Sequence, residues 1–202
     1  MFDQDEGAAS LTLRERNKAR LRQAMLLAAL EVFAQSGYGS ATVEAIATRA
    51  GVAKVTLYTY FPRGREELFR ELYENINGEL IENASQIYAS EGRFADRVIA
   101  LTQVLVKVAQ RPLIGRFYSI DDPALDVALD DVRGRASRVW ADLIAEDLAA
   151  EQQTGTVKTQ VSPQAFAELL LGAMRSALSK AAREQEAAGD IVQAMTALLS
   201  GL

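Results

Sequence analysis

The sequence predicts an all-α protein, and three observations carry that prediction. Prolines fall only at positions 62, 112, 123 and 163, and the stretches between them are rich in Ala, Leu, Glu and Arg, which favour the helical state. Apolar residues recur three and four positions apart, the spacing that collects them on one helical face. No stretch alternates with the period of two that a half-buried strand requires.

The first helix is expected from Arg14 to Gln35, where Leu21, Met25, Ala28 and Val32 form an apolar stripe. Ser36, Gly37, Tyr38 and Gly39 end it. Thr42 then offers its hydroxyl as an N-cap to a helix of about two turns carrying Val43, Ile46, Ala47 and Ala50. Gly51 follows at once, suited to the left-handed conformation that stops a helix, with Val52 anchoring the turn. A third short helix is expected over 53–60. Small Ala47 allows this pair to cross closely, and the pattern fits a helix-turn-helix unit. Val52, Leu57 and Phe61 are expected inward, and Lys54, Val55, Thr56, Tyr58 and Thr59 outward. The outward set suits a DNA groove: lysine for a guanine edge or phosphate, threonine methyls for thymine, tyrosine hydroxyls for phosphate oxygens. Tyr60 lies at the boundary between core and phosphate.

Charge is distributed unevenly. Residues 11 to 65 carry nine Lys or Arg against three Glu, a net of plus 6, within a chain of net charge −5. A basic head therefore precedes an acidic body, a polarity expected when one end meets a polyanion; an imbalance of solvated faces is the alternative. Arg14, Arg16, Lys18 and Arg20 form an arm able to reach phosphate or the minor groove.

The chain has neither cysteine nor histidine. Disulfides and thiolate zinc are excluded, and the commonest metal ligand and general base are missing. No phosphate-binding glycine loop, nucleophile elbow or metal-ligand spacing stands out. No cofactor, metal or enzymatic activity is expected. No apolar run approaches a membrane span and no secretory apolar segment follows the acidic N-terminus, so the expectation is a cytoplasmic protein with no membrane partner.

The segment TVEAIATRAGVAKVTLYTYFPRGREELF, preceded by AALEVFAQSGYGSA, resembles the DNA-binding domain of the TetR/AcrR family of transcriptional regulators. The ordered set Thr42, Ile46, Ala47, Gly51, Val52, Leu57, Tyr58, Tyr60 and Phe61 carries the resemblance, which runs from about Arg20 to Phe69. It implies an all-helical homodimer whose third helix lies in the major groove and whose C-terminal domain binds an inducer. By matching position, Lys54, Val55, Thr56 and Thr59 would face bases, while Thr42, Tyr58, Tyr60 and Arg65 would hold phosphates. Two departures stand out. Ala53 occupies the position where the family usually has a capping Ser or Thr, and the PRGR turn is one residue longer, with Arg65 or Arg63 replacing the usual lysine.

The expected organisation is an acidic tail over 1–13, a helix-turn-helix domain over 14–65 and a helical effector-binding and dimerisation domain over 66–202, about nine helices in all. A long helix follows Arg65, with Leu68, Leu72, Ile76 and Leu80 on one face. Further helices are expected over 94–110, 113–119 and 123–150, the last opened by Asp121, Asp122 and Pro123. A polar loop over 154–161 precedes Ser162 and Pro163, an N-cap and first-turn proline for a helix to about residue 187. Gly189 and Asp190 are expected to restart the final helix.

Phe94, Phe117, Tyr118, Trp140 and Phe166 are candidate lining residues for an effector pocket between the middle helices; aromatics at helical spacing are more often core than pocket. Phe166, Leu169, Ala173, Ser176 and Ala177, with Met195 and Leu198 on the final helix, are candidates for a dimer interface of the kind the resemblance implies. The expected function is a transcriptional repressor released from a pseudo-palindromic operator by a small-molecule effector. The alternative is a helical protein-interaction module whose DNA head no longer binds.

Overall fold

The computed structural model describes residues 12–120, 122–184 and 186–201; residues 1–11, which hold most of the expected acidic tail, lie outside the described residues, as do 121, 185 and 202. All regular structure among the described residues is helical: α1 (Leu13–Ser40), α2 (Val43–Ala50), α3 (Lys54–Tyr60), α4 (Arg65–Tyr88), α5 (Phe94–Ala109), α6 (Pro112–Tyr118), α7 (Pro123–Thr154), α8 (Pro163–Arg183) and α9 (Ala187–Leu199).

Local chemistry sets most of the boundaries. Thr12 and Glu15 form a reciprocal capping box at the start of α1, each satisfying a donor the first turn would leave free. Gly37, at φ 75° and ψ 174°, breaks helical geometry inside α1 and lets the chain turn so that Tyr38 is buried. The Thr42 hydroxyl accepts from the Ala45 N–H at 3.1 Å, and Gly51 closes α2 in the left-handed region at φ 67°. Asp122 and Ser162 cap α7 and α8, each with proline in the first helical turn.

The α8–α9 break differs from expectation. α8 ends at Arg183 and α9 starts at Ala187, so Gly189 and Asp190 both lie within α9. Ala181 and Ala187 are both buried, and α5 packs against both α8 and α9. The chain turns early to bring both alanines inward, a tertiary demand with no local breaker behind it.

Helices α1, α2 and α3 pack as a small unit around Met25, Phe33, Ile46, Leu57 and Phe61. Helix α4 leads from it into a body of α5 to α9, where α8 packs on α5, α6 and α7. Contact between the two parts also runs through α6, which lies against α1. Gly115 on α6 permits a close approach: a Cβ there would stand 2.0 Å from the Ala109 carbonyl oxygen.

At the far end of the body, Arg97 on α5 donates to Asp147 at 2.5 and 2.9 Å and to Glu151 at 2.9 Å. Glu151 also accepts from the Phe94 N–H at 2.6 Å, an orphan donor of the first turn of α5. These largely buried groups lock the start of α5 to the end of α7. Arg70 on α4 bonds Asp131 on α7 through both carboxylate oxygens at 2.9 Å, a second strut across the body.

Candidate nucleic-acid interface and effector cavity

Helix α3 has two sides of opposite character. Leu57 and the following Phe61 are fully buried, while Lys54, Val55, Tyr58 and Thr59 are exposed, Val55 to 73% and Tyr58 to 41%. An apolar side chain as exposed as Val55, on a short helix whose other face is core, is available to a partner. Thr56 and Tyr60 are half-buried, and Tyr60 packs against the core. The N-cap of α3 is Ala53, in extended geometry with no side-chain hydrogen bond, as its sequence implied.

A surface groove brings the arm and α3 together. Arg14, Asn17, Lys18 and Leu21 of α1 line it opposite Thr59 and Tyr60. Arg14, Arg16, Lys18 and Arg20 are all exposed, and none meets a carboxylate among the described residues. Arg14 and Lys18 share the groove side of α1 while Arg16 and Arg20 lie on its other side, and exposed cations clustered in this way generate the positive potential that attracts a polyanion.

The remaining cations of the head are engaged. Arg22 pairs with Glu71 on α4 and lies 4.8 Å from the centroid of the Phe61 ring. Arg49 bonds Glu31 at 2.7 Å and Gln35 at 3.2 Å. Arg63 bonds Glu66 at 3.3 Å. Lys54 pairs with Glu44 on α2, which raises the lysine pKa and lowers that of the glutamate, chiefly through their mutual hydrogen bond.

Arg65 occupies a place that its expected phosphate role did not foresee. It is half-buried, and its Nη1 donates to the carbonyls of Tyr38, Gly39 and Ala41 at 3.2, 3.1 and 3.1 Å. Its charge sits 4.7 Å from the Tyr38 ring centroid. Carbonyls at the end of a helix lack intrahelical donors and attract cations. The guanidinium thus closes the α1–α2 turn from the start of α4, one residue before the Thr42 cap. No sequence spacing announced this contact, because it joins residues more than twenty positions apart.

The body contains a cavity of about 270 Å³ between α4, α5, α6, α7 and α8. Of the candidate lining residues, Phe117, Tyr118 and Trp140 border it, together with Phe69, Asn77, Met174 and Arg175. Phe94 and Phe166 do not. Their rings pack on one another 6.2 Å apart, and Phe94 is fully buried, held in the core by the lock between α5 and α7. The cavity wall runs directly into the head: Phe117 stacks 4.3 Å from Phe69, which lies 5.0 Å from Phe33 and 5.2 Å from Tyr38.

On the outside of the body, Leu169 and Leu198 are exposed to 74% and 57%. Gly172, Ala173 and Ser176 extend the same face of α8, and Ala194 and Ala197 stand beside Leu198 on α9. Ala177 and Phe166 are half-buried at its margin. Met195 differs from expectation: it is only 5% exposed and points into the core, because it shares the inward face of α9 with Leu199.

Residues 25–72, spanning most of α1 through the first turns of α4, match the profile of the bacterial regulatory proteins of the tetR family. Over these residues the chain is similar to the DNA-binding head of that family. The chain is 35% identical over 65 residues to the uncharacterized HTH-type transcriptional regulator YhgD of Bacillus subtilis, covering 32% of this chain and 34% of that one. It is 39% identical over 59 residues to the fatty acid metabolism regulator protein of the same organism, covering 29% and 30%. The chain thus spans about a third of the length of these curated relatives. The likeness in fold reaches further. The structure of the fatty acid degradation regulator FadR from Bacillus halodurans superposes with a TM-score of 0.72 at 17% identity, over 87% of this chain and 94% of that one. The likeness in fold therefore includes the body as well as the head. Among the described residues no cluster of three or more potential metal-binding side chains occurs, and no single helix is long and apolar enough to cross a membrane.

Proposed function

We propose that this protein is a homodimeric transcriptional repressor that leaves a pseudo-palindromic operator when a small molecule occupies the cavity. The two-sided α3 carries the reading: a buried Leu57 and Phe61 hold a solvent-facing Lys54, Val55 and Thr59 beside an arm of cations that meet no carboxylate among the described residues. Lys54, Val55, Thr56 and Thr59 face bases in this reading. Thr42, Tyr58, Tyr60 and the arm hold phosphates, and Arg65 acts on them indirectly by shaping the turn before Thr42. The exposed face of Leu169, Ala173, Ser176 and Leu198 pairs with its copy about a two-fold axis. Two α3 helices then meet half-sites one helical turn, or a multiple of it, apart.

Release follows from the packing. A ligand against Phe117 and Phe69 bears on rings that touch Phe33 and Tyr38, and Tyr38 is held by Arg65 at the entrance to α2. Only a ligand with different affinities for the bound and released geometries shifts their balance. Full reversal of a strongly biased equilibrium requires about 5.5 kcal/mol of such difference.

Gel-shift titrations with DNA flanking the protein's own gene, across a salt series, test the reading. Sequence-preferring binding that weakens steeply with salt is expected. Equal binding to random DNA at moderate salt overturns it in favour of a head that no longer reads DNA.

A further inference from the structure

We infer that the cavity binds a small apolar carboxylate, whose acid group is held at the mouth by Arg175. This rests on the reading of the cavity as an effector site and names the chemistry of its occupant.

The volume limits the size. A cavity of about 150 Å³ takes one benzene ring, so about 270 Å³ admits an apolar body about twice as large: a medium-length alkyl chain or an aryl ring with a short tail. The wall determines the character of that body. Phe69, Leu80, Phe117, Trp140 and Met174 present aromatic and aliphatic surface, and burial of apolar ligand area against such surface supplies most of the affinity of a typical pocket.

Charge determines the head group. Among the described residues Arg175 is the only Lys or Arg on the wall, and no Asp or Glu lies on it. Its guanidinium donates to the Ser137 hydroxyl across the α7–α8 seam, and no carboxylate pairs with it among the described residues. Most other arginines of the body are paired: Arg70, Arg93, Arg97, Arg111 and Arg135 each meet an Asp or Glu. An exposed guanidinium at the mouth, oriented by a neutral hydroxyl, presents N–H donors in the fork that matches a carboxylate. Being at the mouth, it takes the charge without the full penalty of burying it. A cationic ligand would be repelled, and a neutral one would leave the guanidinium unused.

The test uses Trp140, the chain's only tryptophan, as a reporter on the cavity wall. Purified full-length protein without DNA is titrated with decanoate, decanol and decylamine while tryptophan emission is followed. Decanoate is expected to bind about tenfold more tightly than decanol, the scale of a hydrogen bond to a charged group, and decylamine more weakly than either. Arg175→Gln is expected to erase the preference for the acid while leaving decanol binding unchanged. Equal affinity for acid and alcohol, tighter binding of the amine, or no emission response to any of the three overturns the inference. So does Arg175→Gln weakening acid and alcohol alike. A parallel gel shift separates this inference from the reading beneath it. Decanoate that binds through Arg175 without releasing DNA supports the carboxylate site and removes its role as an effector site.

Discussion

Arg65 and Tyr38 are joined twice: the Arg65 guanidinium lies 4.7 Å from the Tyr38 ring centroid and donates to the Tyr38 carbonyl at 3.2 Å. Two further bonds, to Gly39 and Ala41, make this one side chain the cap of α1. Arg65→Ala is expected to destabilise the protein by about 1–3 kcal/mol, read from urea unfolding. It is also expected to weaken binding to all DNA sequences alike, since Thr42 would lose its fixed approach. Wild-type stability in the variant would show that the carbonyls do not depend on Arg65.

Lys54 is held by Glu44 in the free protein, so binding DNA would exchange one anion for another. Lys54→Ala is expected to lower discrimination at one base position by about tenfold, measured on an operator mutated base by base. Glu44→Gln is expected to raise affinity for all sequences, because it removes both the competing partner and a charge that repels phosphate. A uniform loss for Lys54→Ala would place that lysine on the backbone instead.

Ala53 has the backbone angles of a cap, φ −69° and ψ 147°, without a side chain that accepts a hydrogen bond. Ala53→Ser supplies the acceptor and is expected to stabilise the protein by about 0.5–2 kcal/mol. For a chain of this size each kcal/mol raises the melting temperature by about 2–4 °C. A lowered melting temperature by calorimetry would reject the cap.

Leu169 is exposed to 74% in the single chain, at the centre of the face assigned to dimerisation. Leu169→Arg is expected to give monomers by multi-angle light scattering, with unchanged helix content by circular dichroism. A dimer of wild-type stability would move the interface elsewhere.

Asp131 has its pKa lowered to about 2 from 3.8, first by its hydrogen bond to Arg70 and further by Arg135. A lowered folded-state pKa means that the group favours folding above its unfolded value and loses that contribution as pH falls through the folded value. The melting-temperature difference between wild type and Asp131→Asn is therefore expected to be full at pH 6 and to vanish between about pH 4 and pH 2. A difference that persists unchanged at pH 2 would assign it to something other than this charge.

The positions of the helices were legible because their signals are local. Thr42, Gly51, Asp122, Pro123, Ser162 and Pro163 act within a turn of themselves, and helix starts and stops there fall within a residue or two of expectation. The inward face of α3 was equally readable, since Leu57 and Phe61 follow helical spacing. Where no local breaker exists, as between α8 and α9, the sequence misplaced the turn.

Spacing along a helix tells which residues share a face, and by itself it established the helical class, the helix-turn-helix head and its division into inward and outward residues. It does not tell what the face meets. Phe94 and Phe117 begin as equal candidates, and only the packing of α5 against α7 commits Phe94 to the core while Phe117 is left on the cavity wall. Arg22, Arg65 and Arg175 are alike as sequence: one braces α1 to α4, one caps a helix end and one stands at a cavity mouth. The tertiary fold decided among these roles, because a cation's role depends on the partners that folding brings within about 4 Å of it, and those partners lie far away along the chain.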